Sequence, residues 1–252
     1  MSAPTSRRLA AALACRNNGS RLFGKPLQNI TGETTILDQI INAIRHFPVI
    51  EEIVLGISEG SANAAFVDFA KERNVSYIFG DPRDVLRRLI LCGRAAKATD
   101  VFRVTTECPW FAYDLLMPAW KKHLQNNNDI TVCDRLPEGM HFEIYRLEAL
   151  ELSHQRGTTR DRSEFCSNYA RTHPSEFKIE VILPPKEQQR MDLRVTVDYP
   201  EDLILCREIA KALGSSMPLI PVSDIIAFLD SRPDIKALVA PFVVPEPLWD
   251  VL

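Results

Sequence analysis

The chain has 252 residues, 46% of them hydrophobic and 25% charged, with a formal net charge of -3. A chain of this length buries a substantial core without disulfide or metal support, and its composition excludes disorder over most of the sequence. The slight acidity excludes the basic field that nucleic acid needs, yet a small anion held locally by a few cations fits.

No apolar run approaches the ~20 residues that span a bilayer. The opening stretch, MSAPTSRRLAAALAC, is basic then apolar, but its apolar part is short and reads as a first strand, not an export signal. A cytoplasmic protein is therefore expected, with no nucleic-acid or membrane partner. Six cysteines, at 15, 92, 108, 133, 166 and 206, are scattered without a C-x-x-C pair or a zinc-finger histidine. They read as small buried apolar groups.

In chain order, strand-like apolar runs alternate with segments of helical period. This is the pattern of an α/β, Rossmann-like, doubly wound and mainly parallel sheet. Leu9 to Cys15 reads as the first strand, and Ile36, Ile40, Ile41, Ile44 and Phe47 form one stripe of the helix behind it. Glu52 to Ser58 is a second strand, Ala62 to Arg73 a helix, Ser76 to Phe79 a short strand and Asp84 to Ala98 a helix. Val101 to Thr105 and Asp129 to Cys133 complete the regular part. Between about 134 and 186 the alternation lapses, and an inserted arm or small subdomain is expected there, with a hairpin around Gly139. Leu193 to Val197 reads as a last strand before a helix from Pro200 to Leu213, where proline suits the first helical position. The proline-rich tail reads as irregular, and the whole as one domain.

Ligands of open parallel sheets bind beyond the carboxyl ends of the strands, which directs attention to three loops. The first is RNNGSRLFGKPL, from Arg16 to Leu27. Its small residues let backbone N–H groups approach phosphate oxygens; arginine adds forked hydrogen bonds and lysine a mobile charge. It lacks the G-x-x-x-x-G-K-[ST] arrangement of a Walker loop. On its own, phosphate binding and a solvated basic turn are equally good accounts of it. In the second loop, RVTTECPW, Glu107 is a carboxylate of the kind Mg²⁺ takes, or a solvated helix-entry acid. In the third, LRVTVDYPEDL, Asp198 serves equally as a metal ligand or as the cap of the following helix.

Taken together and in order, these segments resemble the cytidylyltransferases that activate acidic sugars, the acylneuraminate group and above all its SpsF-like branch. Arg16 to Leu27 resembles the R-x-x-S-x-R-L-P-G-K-P-L motif of that family. DVLRRL from Asp84, RVTTECPW from Arg103, PEGMHFEIYRLEAL from Pro137, the stretch from Ser163 to HPSEFKI, and DLRVTVDYPEDL from Asp192 follow in sequence. The resemblance implies a fold of the nucleotide-diphospho-sugar transferase type and transfer of CMP from CTP to an acidic sugar, with pyrophosphate released. It implies that Arg16, Arg21 and Lys25 hold the triphosphate with Asn17, Asn18, Gly19 and Ser20, and that Ser58, Gly80 and Asp84 lie at the base. It further implies that Glu107 and Asp198 hold Mg²⁺, that Gly139, His141 and Glu143 face the acceptor, and that the chain forms a homodimer.

Several positions depart from the family pattern. Gly19 stands for the usual serine, Phe23 for proline, Glu107 for aspartate, His141 for aspartate and Phe165 for histidine. Those in the acceptor region imply a changed acceptor before a changed nucleotide. Alternatives are the same chemistry with another nucleotide or a phosphorylated or phosphonate acceptor, and a silent nucleotide-binding homologue. Elsewhere His46, His123 and His154 read as polar-surface or helix-end residues, Trp110 and Trp120 as core, and Arg156 to Glu164 as an exposed face.

Overall fold

The first strand, LAAALAC, puts Leu9, Ala11, Leu13 and Cys15 on one face and the small side chains of Ala10 and Ala12 on the other, and the whole molecule is layered about that alternation. The computed structural model describes residues 7–17, 19, 21–164 and 166–249.

In chain order the elements are β1 (Leu9–Cys15), the small ribbon β2 (Asn29–Thr31) and β3 (Thr34–Thr35), α1 (Ile36–Ile44), β4 (Ile50–Ser58), α2 (Ala64–Glu72), β5 (Ser76–Gly80), α3 (Val85–Ala95) and β6 (Asp100–Arg103). They continue with α4 (Leu116–Gln125), β7 (Ile130–Cys133), β8 (Glu143–Arg146), α5 (Leu147–Arg156), α6 (Thr159–Arg162), α7 (Asn168–Thr172), β9 (Ile179–Ile182), α8 (Pro200–Leu213), α9 (Val222–Ser231) and α10 (Pro233–Val239). The seven-stranded sheet runs in the order β5-β4-β1-β6-β8-β7-β9. β8 is antiparallel to both its neighbours; the other pairings are parallel. This is the doubly wound sheet that the sequence pattern predicts.

One apolar layer joins Leu9, Leu13, Ile40, Phe66, Ile209 and Ile225 on the face covered by α1, α2, α8 and α9. The other joins Ala10, Ala12, Leu86, Leu89, Leu150 and Tyr169 under α3, α5 and α7. The alanines matter because α3 lies close to the sheet: a Cβ on Gly56 of β4 would stand 3.0 Å from the Cys92 sulfur of α3. All six cysteines are buried and free, as expected.

Four expectations are corrected. Within 134–186, β8 and β9 are strands of the central sheet, with β8 inserted between β6 and β7, so the segment is not simply an arm outside it. Its strands are only four residues long, too short for a clear period. Leu193 to Val197 is buried and extended but joins the sheet system only through a bridge between Glu138 and Arg194. The tail is not irregular up to Val239, because Pro221 and Pro233 sit where a helix begins and Ile225, Ile226, Leu229, Ile235 and Val239 are buried behind them. His123 is fully buried, with its ring nitrogens 2.9 Å from Thr131 Oγ1 and 3.0 Å from Asp100 Oδ1.

Candidate active site

β1 and β4 end side by side, and α3 fastens them there: Arg88, almost wholly buried, donates from Nη1 to the carbonyl oxygens of Cys15 at 3.1 Å and Gly56 at 2.8 Å. The loop that leaves β1 is fixed at once. Asn17 donates its backbone N–H to Asn63 Oδ1 at 2.8 Å and its amide to the Ala62 carbonyl at 2.6 Å. Its N–H is therefore spent on the fold. Farther on, Gly24 takes φ of 62°, a left-handed value that favours glycine, and turns the chain so that Lys25 points back. Gly19 is required for space: a Cβ there would stand 2.1 Å from the Leu22 carbonyl oxygen. That accounts for glycine where the family pattern has serine. Asn18, Ser20 and Phe165 lie outside the described residues.

Arg16, Asn17, Gly19, Arg21 and Lys25 line a cleft of about 430 Å³ together with Glu107 and Glu164. A smaller cavity of about 100 Å³ shares Arg16, Glu107 and Glu164 and adds Arg88 and Arg103. Lys25 Nζ lies 2.5 Å from Asp198 Oδ1, and Arg21 Nη2 lies 3.0 Å from the same oxygen. Glu107 is tied to the third loop through its backbone, since Val197 N–H donates to the Glu107 carbonyl at 3.0 Å. The three loops singled out in the sequence thus meet.

The charges are unequal in their surroundings. Burial pushes the Glu107 carboxyl above its ordinary value, and Lys25 opposes the shift only in part. Burial acts the same way on Asp198, but the bond from Lys25 and the charges of Arg21 and Arg194 outweigh it and hold that carboxyl low. Asp198 does not cap α8. Asp202 does, accepting from the backbone N–H groups of Asp198 at 2.8 Å and Tyr199 at 2.9 Å. Nor is Glu107 a helix-entry acid, because the chain after it has no helical turn until Tyr113.

Among the described residues no three His, Cys, Asp or Glu side chains converge as a metal cage. Two carboxylates beside a cationic cleft are nevertheless a fitting donor set for Mg²⁺, which commonly takes one or two carboxylates and completes its shell with water and phosphate oxygens. The Glu107 carboxylate makes no hydrogen bond among the described residues, so it is available to a cation.

The remaining predicted residues sit elsewhere. Ser58 and Gly80 pair at the carboxyl ends of β4 and β5, on the same edge of the sheet but outside both cavities. Asp84 caps α3 through Arg87 N–H at 2.8 Å and meets His154 Nε2 at 2.7 Å, so that histidine is no solvated surface residue. Gly139, with φ of 97°, backs onto Thr196, whose nitrogen an added Cβ would approach to 2.5 Å. Glu143 is buried, paired with Arg103 and bonded by Trp249 Nε1 at 3.2 Å. His141 lies 3.4 Å from Asp134 Oδ1 and lines a separate cleft of about 290 Å³ with Glu138 and Arg171.

Sequence reasoning missed Glu164, which pairs with Arg16 at 2.6 Å, and Arg194 with Asp202 behind Asp198. Glu164 lies in a run of charges that looks like any solvated face, and Arg16 is 148 positions away.

No family model matches the chain. It is similar to the spore coat polysaccharide biosynthesis protein SpsF of Bacillus subtilis, 22% identical over 88% of this chain and 94% of that protein. The uncharacterized protein MJ1063 of Methanocaldococcus jannaschii is 23% identical over 91% of this chain and 93% of its own length. The chain is similar to SpsF along nearly the whole of that protein. Its fold is that of a cytidylyltransferase from Leptospira borgpetersenii, with a TM-score of 0.82, 21% identity, and coverage of 92% of this chain and 97% of that one. The fold also matches CMP:2-keto-3-deoxy-manno-octonic acid synthetase, solved with CTP, at a TM-score of 0.63 and 11% identity over 82% of this chain and 99% of that one. No described helix is long and apolar enough to cross a membrane.

Proposed function

We propose that the protein is a CTP-dependent cytidylyltransferase that transfers CMP from CTP to an acidic sugar of the ulosonic or sialic acid type, releasing pyrophosphate, in the synthesis of a surface polysaccharide or other glycan. The observation that carries this is that Lys25 and Arg21, which line one cleft with Arg16 and Glu107 beyond the carboxyl end of β1, both meet Asp198. The kinship with SpsF and the fold shared with a synthetase that binds CTP support the nucleotide and the acceptor class.

In this reading Arg16, Arg21 and Lys25 exchange their present carboxylate partners for the oxygens of the triphosphate, keeping each charge paired throughout. Lys25, little exposed, acts as a point charge on the phosphates; Arg21 reaches them as a fork from the rim. Glu107 and Asp198 hold Mg²⁺, which supplies charge stabilisation to the phosphates when bound. The acceptor oxygen attacks the α-phosphorus in line, and the cations of the loop stabilise the charge that gathers on the leaving pyrophosphate. Six free, buried cysteines suit a reducing cytosol as the place where this happens.

A panel of the four ribonucleoside triphosphates with candidate acidic sugars, phosphorylated acceptors and Mg²⁺, read by released pyrophosphate, tests the proposal. Release with CTP and an acidic sugar supports it. Release with ATP or UTP alone refutes the choice of nucleotide, and release only with a phosphorylated acceptor refutes the choice of sugar.

A further inference from the structure

Asp198 is held from two sides. Lys25 and Arg21 meet its Oδ1 from the cleft; Arg194 Nη2 meets its Oδ2 at 3.1 Å from within the protein. Arg194 is itself 4% exposed and bound in a fork, its Nε at 2.9 Å from Asp202 Oδ1 and its Nη2 at 3.0 Å from Asp202 Oδ2. Its Nη1 lies 2.5 Å from Glu138 Oε1. A buried guanidinium needs such pairing to offset its lost hydration, and three carboxylates supply it. Asp202, in turn, is the cap that receives the N–H groups of Asp198 and Tyr199.

The cap alone would need no arginine, since a carboxylate at this position accepts both backbone donors unaided. What Arg194 adds is a rigid link between the cap and the side chain of Asp198. The planar fork fixes the direction of Nη2, which a flexible ammonium in its place would not do.

We propose that Arg194, locked by Asp202, is a positioning residue that fixes the Asp198 carboxylate in the orientation at which it and Glu107 share a divalent cation. This rests on the function proposed above and on Asp198 as a metal-holding group. The carboxylate keeps its place through Arg194 when Lys25 and Arg21 turn to the triphosphate, so the site remains set while its cations change partners.

The test is a double-mutant cycle of Arg194→Lys and Asp198→Asn, read by Mn²⁺ binding in the presence of CTP through water-proton relaxation, with thermal unfolding measured alongside. Arg194→Lys is expected to weaken Mn²⁺ binding by roughly 10- to 100-fold, the range found when a partner of a metal ligand is removed. In the Asp198→Asn background the same change is expected to have no further effect on Mn²⁺ binding. Wild-type Mn²⁺ affinity in Arg194→Lys, or an equal loss in both backgrounds, overturns the inference and leaves Arg194 a purely structural residue. Should Arg194→Lys not fold, Asp202→Asn, which retains an acceptor for the two backbone donors, carries the same expectations. If Asp198→Asn alone leaves Mn²⁺ binding unchanged, it is the functional assignment of Asp198 that fails.

Discussion

At the scale of single residues, the cleft depends on groups that do two jobs. Asp198 neutralises Lys25 and Arg21 and is offered to a cation, so Asp198→Asn is expected to lower turnover roughly 100-fold or more. Steady-state assays beside thermal unfolding check this; near-wild-type turnover refutes the assignment. Gly19→Ala is a sharper probe of the loop, because its Cβ would meet the Leu22 carbonyl oxygen at 2.1 Å. A shift of about 1 Å in the groups that hold the triphosphate is expected to cost roughly 100-fold in kcat/KM. The melting temperature should fall as well, because the clash is with backbone, and an unchanged kcat/KM contradicts the loop's role. Much of this cleft was legible in the sequence, since Arg16, Arg21, Lys25, Glu107 and Asp198 stand in loops that follow apolar runs. Glu164 and Arg194 were not, because only the fold brings their partners within reach. Glu143 and Gly139 were legible as special residues, but their geometry is that of a buried ion pair and a close backbone approach.

At the scale of elements, long periods were readable and short ones were not. α1 repeats isoleucine at helical spacing and begins at a capping box in which Thr35 accepts from Asp38 N–H at 3.0 Å, and its face is buried as expected. Ile40→Ala is accordingly expected to cost about 3 kcal/mol in urea unfolding, as full burial of a large apolar side chain implies. β8 and β9 have four residues each, and α9 and α10 hide behind prolines that suit helix starts. β6 also carries a pH dependence. Burial raises Asp100, but the bonds from Arg7, His123 and Thr99 outweigh it and set its carboxyl below the ordinary range. A folded value below the unfolded one means stability that is full above about pH 4 and is lost as the pH falls through the folded value. Asp100→Ala should flatten the acid limb of stability below about pH 4, measured by urea melts. An acid limb as steep as wild type would count against the cluster.

For the whole molecule, two apolar layers hold a mainly parallel sheet whose carboxyl edge gathers three distant loops, and that arrangement is what supports our reading of the cationic segment after β1 as a site. CTP with Mg²⁺ at about a hundred times its dissociation constant should raise the unfolding free energy by ~2.7 kcal/mol, detectable as a thermal shift that ATP does not reproduce. Stabilisation shows binding only, so the decisive measurement is the product. Mass spectrometry of a reaction containing the protein, CTP, Mg²⁺ and a panel of ulosonic and sialic acids should detect a CMP-sugar formed in equal amount with pyrophosphate. No CMP-sugar with any acidic sugar, from protein that CTP measurably stabilises, would contradict the account and leave a nucleotide-binding homologue without turnover.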